Sequence, residues 1–263
     1  LIYLKIKIIM KTDRKKAERN FFLEKSTILQ KGGSVMEARE GMVGFRIALD
    51  WPRPPLELAA ALEALGTPAI SDGMNHFNTM DPAIKPILER RSIAGPAATL
   101  RLRPGDNLML HKSLGLVRPG DVLVVDTCGC TTSSILGELI ATAAFQAGLA
   151  GIVIDGGIRD IQQLKEKAYP IFARFVTPAV GGKDGPGEFG YPISCGGVPV
   201  HPGDLIVGDE NGVVVIPPAD AEKVLADGRK KRSYEETRMA EIKRGVLVKP
   251  AIDDTLRAKG VIS

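Results

Sequence analysis

Two short runs, apolar up to a closing aspartate, constrain this chain more than any other feature. VLVVD at residues 122–126 and GIVID at 151–155 carry no polar alternation, and a helical pattern follows each. Strands of that kind are buried on both faces, as in parallel sheets closed by helical crossovers. The flanking text keeps the rhythm. LELAAALEALGTPAISDGM predicts a helix with Leu56, Ala59, Leu62 and Leu65 on one face, stopped by Gly66 and Pro68. GPAATLRLRPGD predicts a strand, NLMLHKSLGLVRPGD a helix and TCGCTTSS a loop. Residues 135–149 predict a helix, DIQQLKEKA another, and YPIFARFV a strand. The fold class is therefore α/β, with parallel central strands.

Beyond residue 180 the chemistry changes. GKDGPGEFGYPISCGGVPVHPGDLIVGDENGVVVIP is dense in Gly and Pro, with short β segments and an Asn-Gly turn at 211–212. That composition predicts an antiparallel, β-rich layer. Three Pro-Gly-Asp turns, at 104–106, 119–121 and 202–204, recur without a fixed period and make no repeat. After Pro218 the chain is helical and highly charged, to a stop at Gly245. The expected organisation is a lead-in at 36–54, a catalytic α/β domain at 55–218 and a C-terminal helical extension at 219–263.

The first 35 residues differ from the rest. They hold nine Lys/Arg against three acids, although the whole chain of 263 residues has a net charge of only +4. The body is thus slightly acidic and lacks the basic face that nucleic-acid binding requires. Two readings fit residues 1–35. One is a flexible basic arm or an extra helix. The other is translated leader, since Lys31-Gly32-Gly33 is what an in-frame ribosome-binding site would encode two residues before Met36. No run approaches the ~20 apolar residues of a membrane helix. Cys128, Cys130 and Cys195 form no even disulfide framework, so a reducing cytoplasm is the simplest expected compartment.

The chemistry concentrates at GGIRD, residues 156–160. Arg159 and Asp160 stand where the 151–155 strand gives way to a helix, and ligands of α/β sheets gather at such strand ends. Asp160 with Gln163 three residues on spells a capping box. A carboxylate can cap a helix and hold a cation at once, because its two oxygens carry several lone pairs. Gly156-Gly157 strips side chains from the approach, which suits a small ligand. GELI, Gly137 to Ile140, opens the preceding helix, and free amides at a helix N-terminus hold anions. If the two apolar strands are neighbours, both helix starts open on one edge. Elsewhere, Cys128-x-Cys130 lacks a second pair at zinc spacing. His76, His111 and His201 are scattered and read as structural, with His111 following closely on Asp106-Asn107. Neither a dinucleotide fingerprint, nor a P-loop, nor a nucleophile elbow is present.

Five blocks in order, AGPAATLRLRPGDNLMLHKSL, RPGDVLVVD, GELIATAAFQAGLAGIVIDGGIRD, PIFARFVTP and CGGVPVHPGDLIVGDENGVVVIP, resemble the regulator-of-ribonuclease-activity-A-like family. Its enzymatic branch comprises the class II 4-hydroxy-4-methyl-2-oxoglutarate / 4-carboxy-4-hydroxy-2-oxoadipate aldolases. The resemblance implies a layered β/β/α swivelling fold, a homotrimer or hexamer, and sites between subunits. It implies that Gly137, Glu138, Leu139, Ile140 and Arg159 bind the pyruvoyl end of an oxo-acid. It makes Asp160 the direct ligand of Mg²⁺ or Mn²⁺, with Glu138 orienting a metal-bound water that serves as base. Glu235 or Glu236, from the C-terminal extension of a neighbouring subunit, would act on the metal through water likewise. Arg159 would stabilise the enolate left by the aldol cut, and oxaloacetate decarboxylation follows from the same enolate. Enzymatic relatives commonly carry an acid where this chain has Gln163. The ribonuclease-inhibitor branch typically lacks the metal aspartate, so Asp160 favours the enzyme over a non-catalytic regulator. A dedicated oxaloacetate decarboxylase is the other alternative. No nucleic-acid or membrane partner is expected.

Overall fold

The computed structural model describes residues 41–87 and 92–262. The arm-or-leader reading of residues 1–35 and the start at Met36 lie outside them. The central strands are β3 (Ile93–Leu102), β4 (Val122–Asp126), β6 (Gly151–Ile158) and β7 (Ile171–Val176), parallel and adjacent in that order. β1 (Phe45–Ile47), β2 (Lys85–Pro86) and β8 (Gly187–Phe189) extend this sheet to the order β1-β8-β3-β4-β6-β7-β2. β5 (Ser134–Leu136) adds to β6 in parallel. β9 (Ile193–Cys195) and β10 (Val198–Val200) form a separate antiparallel pair. β11 (Leu205–Asp209) and β12 (Gly212–Ile216) form the hairpin expected at Asn211-Gly212, and β11 joins the first residues of β3.

Alternation along each strand sorts side chains into three cores. Leu123, Val125, Ile152 and Ile154 face the helices α3 (Leu108–Ser113), α4 (Glu138–Gln146) and α5 (Ile161–Glu166), packing with Leu110, Ala141, Ala144 and Leu164. Val122, Val124, Val153 and Phe172 face the other way, onto Ile193, Val200, Ile206 and Val215. The outer residues of the hairpin, Leu205, Val207, Val214 and Ile216, pack on Leu62 of α1 (Leu56–Glu63), Ile70 of α2 (Thr67–Gly73) and Val224 of α6 (Ala221–Lys243). The β/β/α layering is therefore present, with a fourth, helical layer outside the hairpin. α7 (Pro250–Ala258) closes the chain after Gly245. Among the described residues no helix is long and apolar enough to cross a membrane.

Three boundaries differ from the sequence reading. Residues 56–73 form two helices, because Gly66 takes φ +83° and Pro68 sits in the first turn of α2, where a missing N–H costs nothing. β5 occupies the start of what periodicity read as one helix from residue 135; α4 begins only at Glu138. β6 runs on through Gly156-Gly157 to Ile158, with a bulge against β7 after Ile154. The three Pro-Gly-Asp segments are alike. In each the Asp amide donates back to the residue before the Pro: Asp106 to Arg103, Asp121 to Arg118 and Asp204 to His201.

Candidate active site

β4 and β6 pair in register, Asp126 opposite Asp155, so the segments that leave them emerge side by side. β5 and the end of β6 then bring the starts of α4 and α5 together. The Arg159 amide donates to the Leu136 carbonyl at 2.9 Å, tying one start to the other. Arg159, Asp160 and the whole Gly137–Ile140 segment line one cavity of about 410 Å³. The juxtaposition expected from GELI and GGIRD is thus present within a single chain.

Its detail departs from the capping box. Asp160 precedes α5, but at φ +57°, ψ +41° it makes no side-chain bond to its own helix. Its Oδ2 instead accepts from the backbone N–H of Glu138 at 2.9 Å, capping α4. Left-handed backbone at a non-glycine residue is sterically unfavourable and is kept where the surroundings impose it. Gln163 lines the cavity rather than reaching back. Arg159 Nε lies 3.5 Å from the same Oδ2. Gly137 allows this approach, since a Cβ there would fall 2.3 Å from Asp160 Oδ2 and 3.0 Å from Arg159 Nε. Gly156 and Gly157 have a different cause from the one expected. A Cβ at either would strike Thr127 or Phe175, so their bareness serves packing rather than ligand approach.

The amides of Leu139 and Ile140 have no acceptor one turn back, because the first bond of α4 runs from Ala141 to Gly137. They leave the mouth of α4 receptive to a carboxylate. Glu138 points its carboxylate to Lys167 Nζ at 2.9 Å, and Lys167 also donates to Thr142 Oγ1 at 3.3 Å. Four polar residues that sequence reasoning left out of the site line the cavity too: Asn107, His111, Ser134 and Lys183. Burial, and then the charge of Lys183, hold the His111 imidazole below its ordinary pKa, favouring its neutral form. A histidine is therefore placed here after all. Its one sequence signal was its nearness to Asp106-Asn107.

Glu235 and Glu236 sit on α6, near Lys231 and Arg232, and do not line this cavity of their own chain. A second cavity, of about 530 Å³, lies between α2 and α6, but its carboxylates are already matched: Asp72 to Lys231 and Asp227 to Lys223. All three cysteines are free thiols. Among the described residues no three His, Cys, Asp or Glu side chains converge as a metal cluster. What a divalent cation would meet is the Asp160 carboxylate, with its Oδ1 left over from the cap bond, in a cavity wide enough for water and also lined by Glu138, whose carboxylate is paired with Lys167. That donor set fits a hard cation such as Mg²⁺, which keeps most of its waters.

The family model described as RraA-like, Aldolase/RraA, matches residues 67–215. The chain belongs to the RraA-like family. Among relatives of this RraA-like protein, one from Halalkalibacterium halodurans is 41% identical over 192 residues, 73% of this chain and 91% of the relative. It bears the provisional name of a 4-hydroxy-4-methyl-2-oxoglutarate aldolase. A Thermus thermophilus protein named as that aldolase is 36% identical over 128 residues, 49% of this chain and 77% of its own. The solved structure of Streptomyces coelicolor RraAS2, described as an unusual member of the RNase ES inhibitor RraA family, superposes with TM-score 0.67 at 30% identity, covering 72% of this chain and 99% of that one.

Proposed function

We propose that this RraA-like protein is a divalent-metal-dependent aldolase that cleaves a 4-hydroxy-2-oxo-acid such as 4-hydroxy-4-methyl-2-oxoglutarate or 4-carboxy-4-hydroxy-2-oxoadipate into pyruvate and a second oxo-acid. One observation carries the reading: Arg159, Asp160 and the free amides of α4 converge on one cavity. In a retro-aldol cut the C4 hydroxyl loses its proton, the C3–C4 bond breaks, and its electron pair passes into the pyruvate enolate. The Leu139 and Ile140 amides hold the C1 carboxylate. The Arg159 guanidinium faces the C2 oxygen, where negative charge grows, and a preorganised donor at that place lowers the barrier. Asp160 would hold Mg²⁺ or Mn²⁺, which supplies Lewis-acid polarisation of the 2-oxo group. Glu138, fixed by Lys167, borders the same space as an acceptor. Loss of CO₂ from oxaloacetate leaves the same enolate, so decarboxylation is a side activity. Glu235 of a neighbouring subunit, in a homotrimer or hexamer, completes the open side, and the 219–263 extension carries it there.

The names of two relatives support the aldolase reading. The likeness to RraAS2, whose family is described as RNase ES inhibitors, supports a second one, a non-catalytic regulator of a ribonuclease. A coupled pyruvate-release assay over a panel of hydroxy-oxo-acids and oxaloacetate, with and without divalent metal, separates them. Metal-dependent pyruvate release that Arg159→Ala abolishes is the expected result. Pyruvate release unaffected by a chelator would overturn the mechanism, and none with any substrate would leave the regulator.

A further inference from the structure

The loop between β4 and β5 carries two cysteines that the proposed reaction does not use. Residues 127–130 close a tight turn. The Cys130 amide donates to the Thr127 carbonyl at 3.3 Å, and the central residues, Cys128 and Gly129, take φ +51° and φ +78°. The Cys128 amide is fastened to Asp126 Oδ1 at 2.6 Å, which holds a non-glycine residue in this left-handed backbone. Consecutive Cα atoms are ~3.8 Å apart, so a turn that folds two such steps back brings Cys128 and Cys130 inside the roughly 4.4–6.8 Å window of a disulfide. A Cβ at Gly129 would meet nothing within 4 Å, so the turn has room to close.

The two sulfurs differ in kind. Cys128 is exposed, and Arg101 Nε donates to its Sγ at 3.3 Å. Cys130 is 6% exposed, and its Sγ lies 3.2 Å from Ser133 Oγ. Burial opposes the charged form of this thiol. The Ser133 hydroxyl and the amides of Thr132, Ser133 and Gly105 outweigh it and bring the Cys130 pKa down to about 7. A buried thiol without such donors is pushed up, as burial does to Cys195. Cys130 is therefore provisioned as a thiolate, next in space to an accessible thiol. That is the arrangement of a peroxide-attacking cysteine and the cysteine that resolves it.

We infer that Cys128 and Cys130 are a peroxide-reactive dithiol whose oxidised form is a disulfide across the 127–130 turn. The Cys128 sulfur attacks one oxygen of hydrogen peroxide. An S–O bond forms, the O–O bond breaks, and the departing hydroxide becomes water with the proton the thiol gives up. The Cys130 thiolate then attacks the sulfenic sulfur. The S–S bond forms, the S–O bond breaks, and the second hydroxide leaves as water with a proton from solvent. Two thiols and one peroxide thus give one disulfide and two waters. The bridge draws Cys130 Sγ away from Ser133, the residue before β5, and Ser134, Ile135 and Leu136 of β5 line the cavity. Oxidation thereby loosens one wall of the candidate site. This chemistry is independent of whether that site belongs to an aldolase.

The test exposes the reduced, full-length protein to hydrogen peroxide and reads intact mass, peptide fragmentation and amide hydrogen exchange. Wild type should lose two hydrogens, with the bridge mapped between Cys128 and Cys130, and dithiothreitol should restore them. Cys128→Ser and Cys130→Ser should each abolish that loss, and Cys195→Ser should keep it. In Cys130→Ser a sulfenic acid should persist at Cys128 and be trapped by dimedone. Exchange across residues 133–137 should rise roughly tenfold in oxidised wild type, the effect of one lost hydrogen bond to a charged group. Bridges to Cys195 or between chains, oxygen added at Cys128 with no bridge, or thiols that stay reduced would overturn the inference. Unchanged exchange in the bridged protein would overturn it as well.

Discussion

Asp160 Oδ2 accepts the Glu138 amide at 2.9 Å, so the residue that opens α5 caps α4, twenty-two positions earlier in the chain. The pair couples the stability of one helix start to the geometry of the other. The same oxygen lies 3.5 Å from Arg159 Nε, leaving Oδ1 as the carboxylate's open side. In the proposed function, structural and chemical duties would thus fall on different oxygens of one side chain.

That division can be separated by mutation. Asp160→Asn keeps an acceptor for the Glu138 amide but loses the charge. Asp160→Ala loses both. Removing a capping acceptor costs about 1 kcal/mol. Urea titration should therefore show Asp160→Ala destabilised by that order and Asp160→Asn by much less, while both lose metal-dependent pyruvate release. Equal stability losses would show that the cap bond contributes nothing.

Gly137 is the packing counterpart of that bond. A methyl group there would meet Asp160 Oδ2 at 2.3 Å and Arg159 Cγ at 3.0 Å. Both contacts are to side-chain atoms, so the fold can yield while the site is displaced. Gly137→Ala should melt within a few degrees of wild type yet lose on the order of a hundredfold in kcat/KM, as for small misplacements of catalytic groups. Full activity in a folded Gly137→Ala would remove the close approach from the account.

The parallel core and the meeting of GELI with GGIRD were legible because they depend on local pattern: two apolar runs, each leading into a helix. The hairpin at Asn211-Gly212 was legible for the same reason. Asp160's bond to Glu138 was not, because the 160–163 spacing offers a local partner and the left-handed backbone that defeats it leaves no mark in the residue types. Lys183 was missed because its place depends on Asp106, 78 residues before Asp184, holding the Asp184 amide. The glycines at 156–157 were misread because their neighbours, Thr127 and Phe175, come from other segments.

The Lys167–Glu138 pair yields a prediction on positioning rather than stability. Glu138 raises the Lys167 pKa through their direct hydrogen bond, so the ammonium stays charged throughout the neutral range. Lys167→Met should leave substrate binding nearly intact but free the Glu138 carboxylate. A lower kcat, an altered pH profile of kcat, which reports the groups of the bound complex, and an unchanged KM are expected from steady-state kinetics. A profile identical to wild type would show that Glu138 needs no such support.

Asp209 also accepts the amide at the start of a helix it does not belong to, and it lies outside the lining of the cavity. Its Oδ2 accepts the Thr67 amide at 2.8 Å and its Oδ1 the Thr67 hydroxyl at 2.7 Å, fixing the start of α2 after Gly66. Burial opposes the charge, but the bonds from Thr67 and Asn211 prevail and hold the carboxyl below its usual range. A carboxyl depressed in the folded state stabilises the fold above its unfolded pKa of about 3.9, and that stabilisation is lost as pH falls through the lower, folded value. Asp209→Asn should therefore be less stable than wild type at neutral pH, by about 1 kcal/mol, because both oxygens of Asp209 accept from Thr67 and the amide turns one of them into a donor. The gap should close as both are acidified below about pH 4, where wild type protonates the same group. Urea midpoints of the two proteins at neutral and acid pH measure it, and a gap that widened on acidification would reverse the assigned sign.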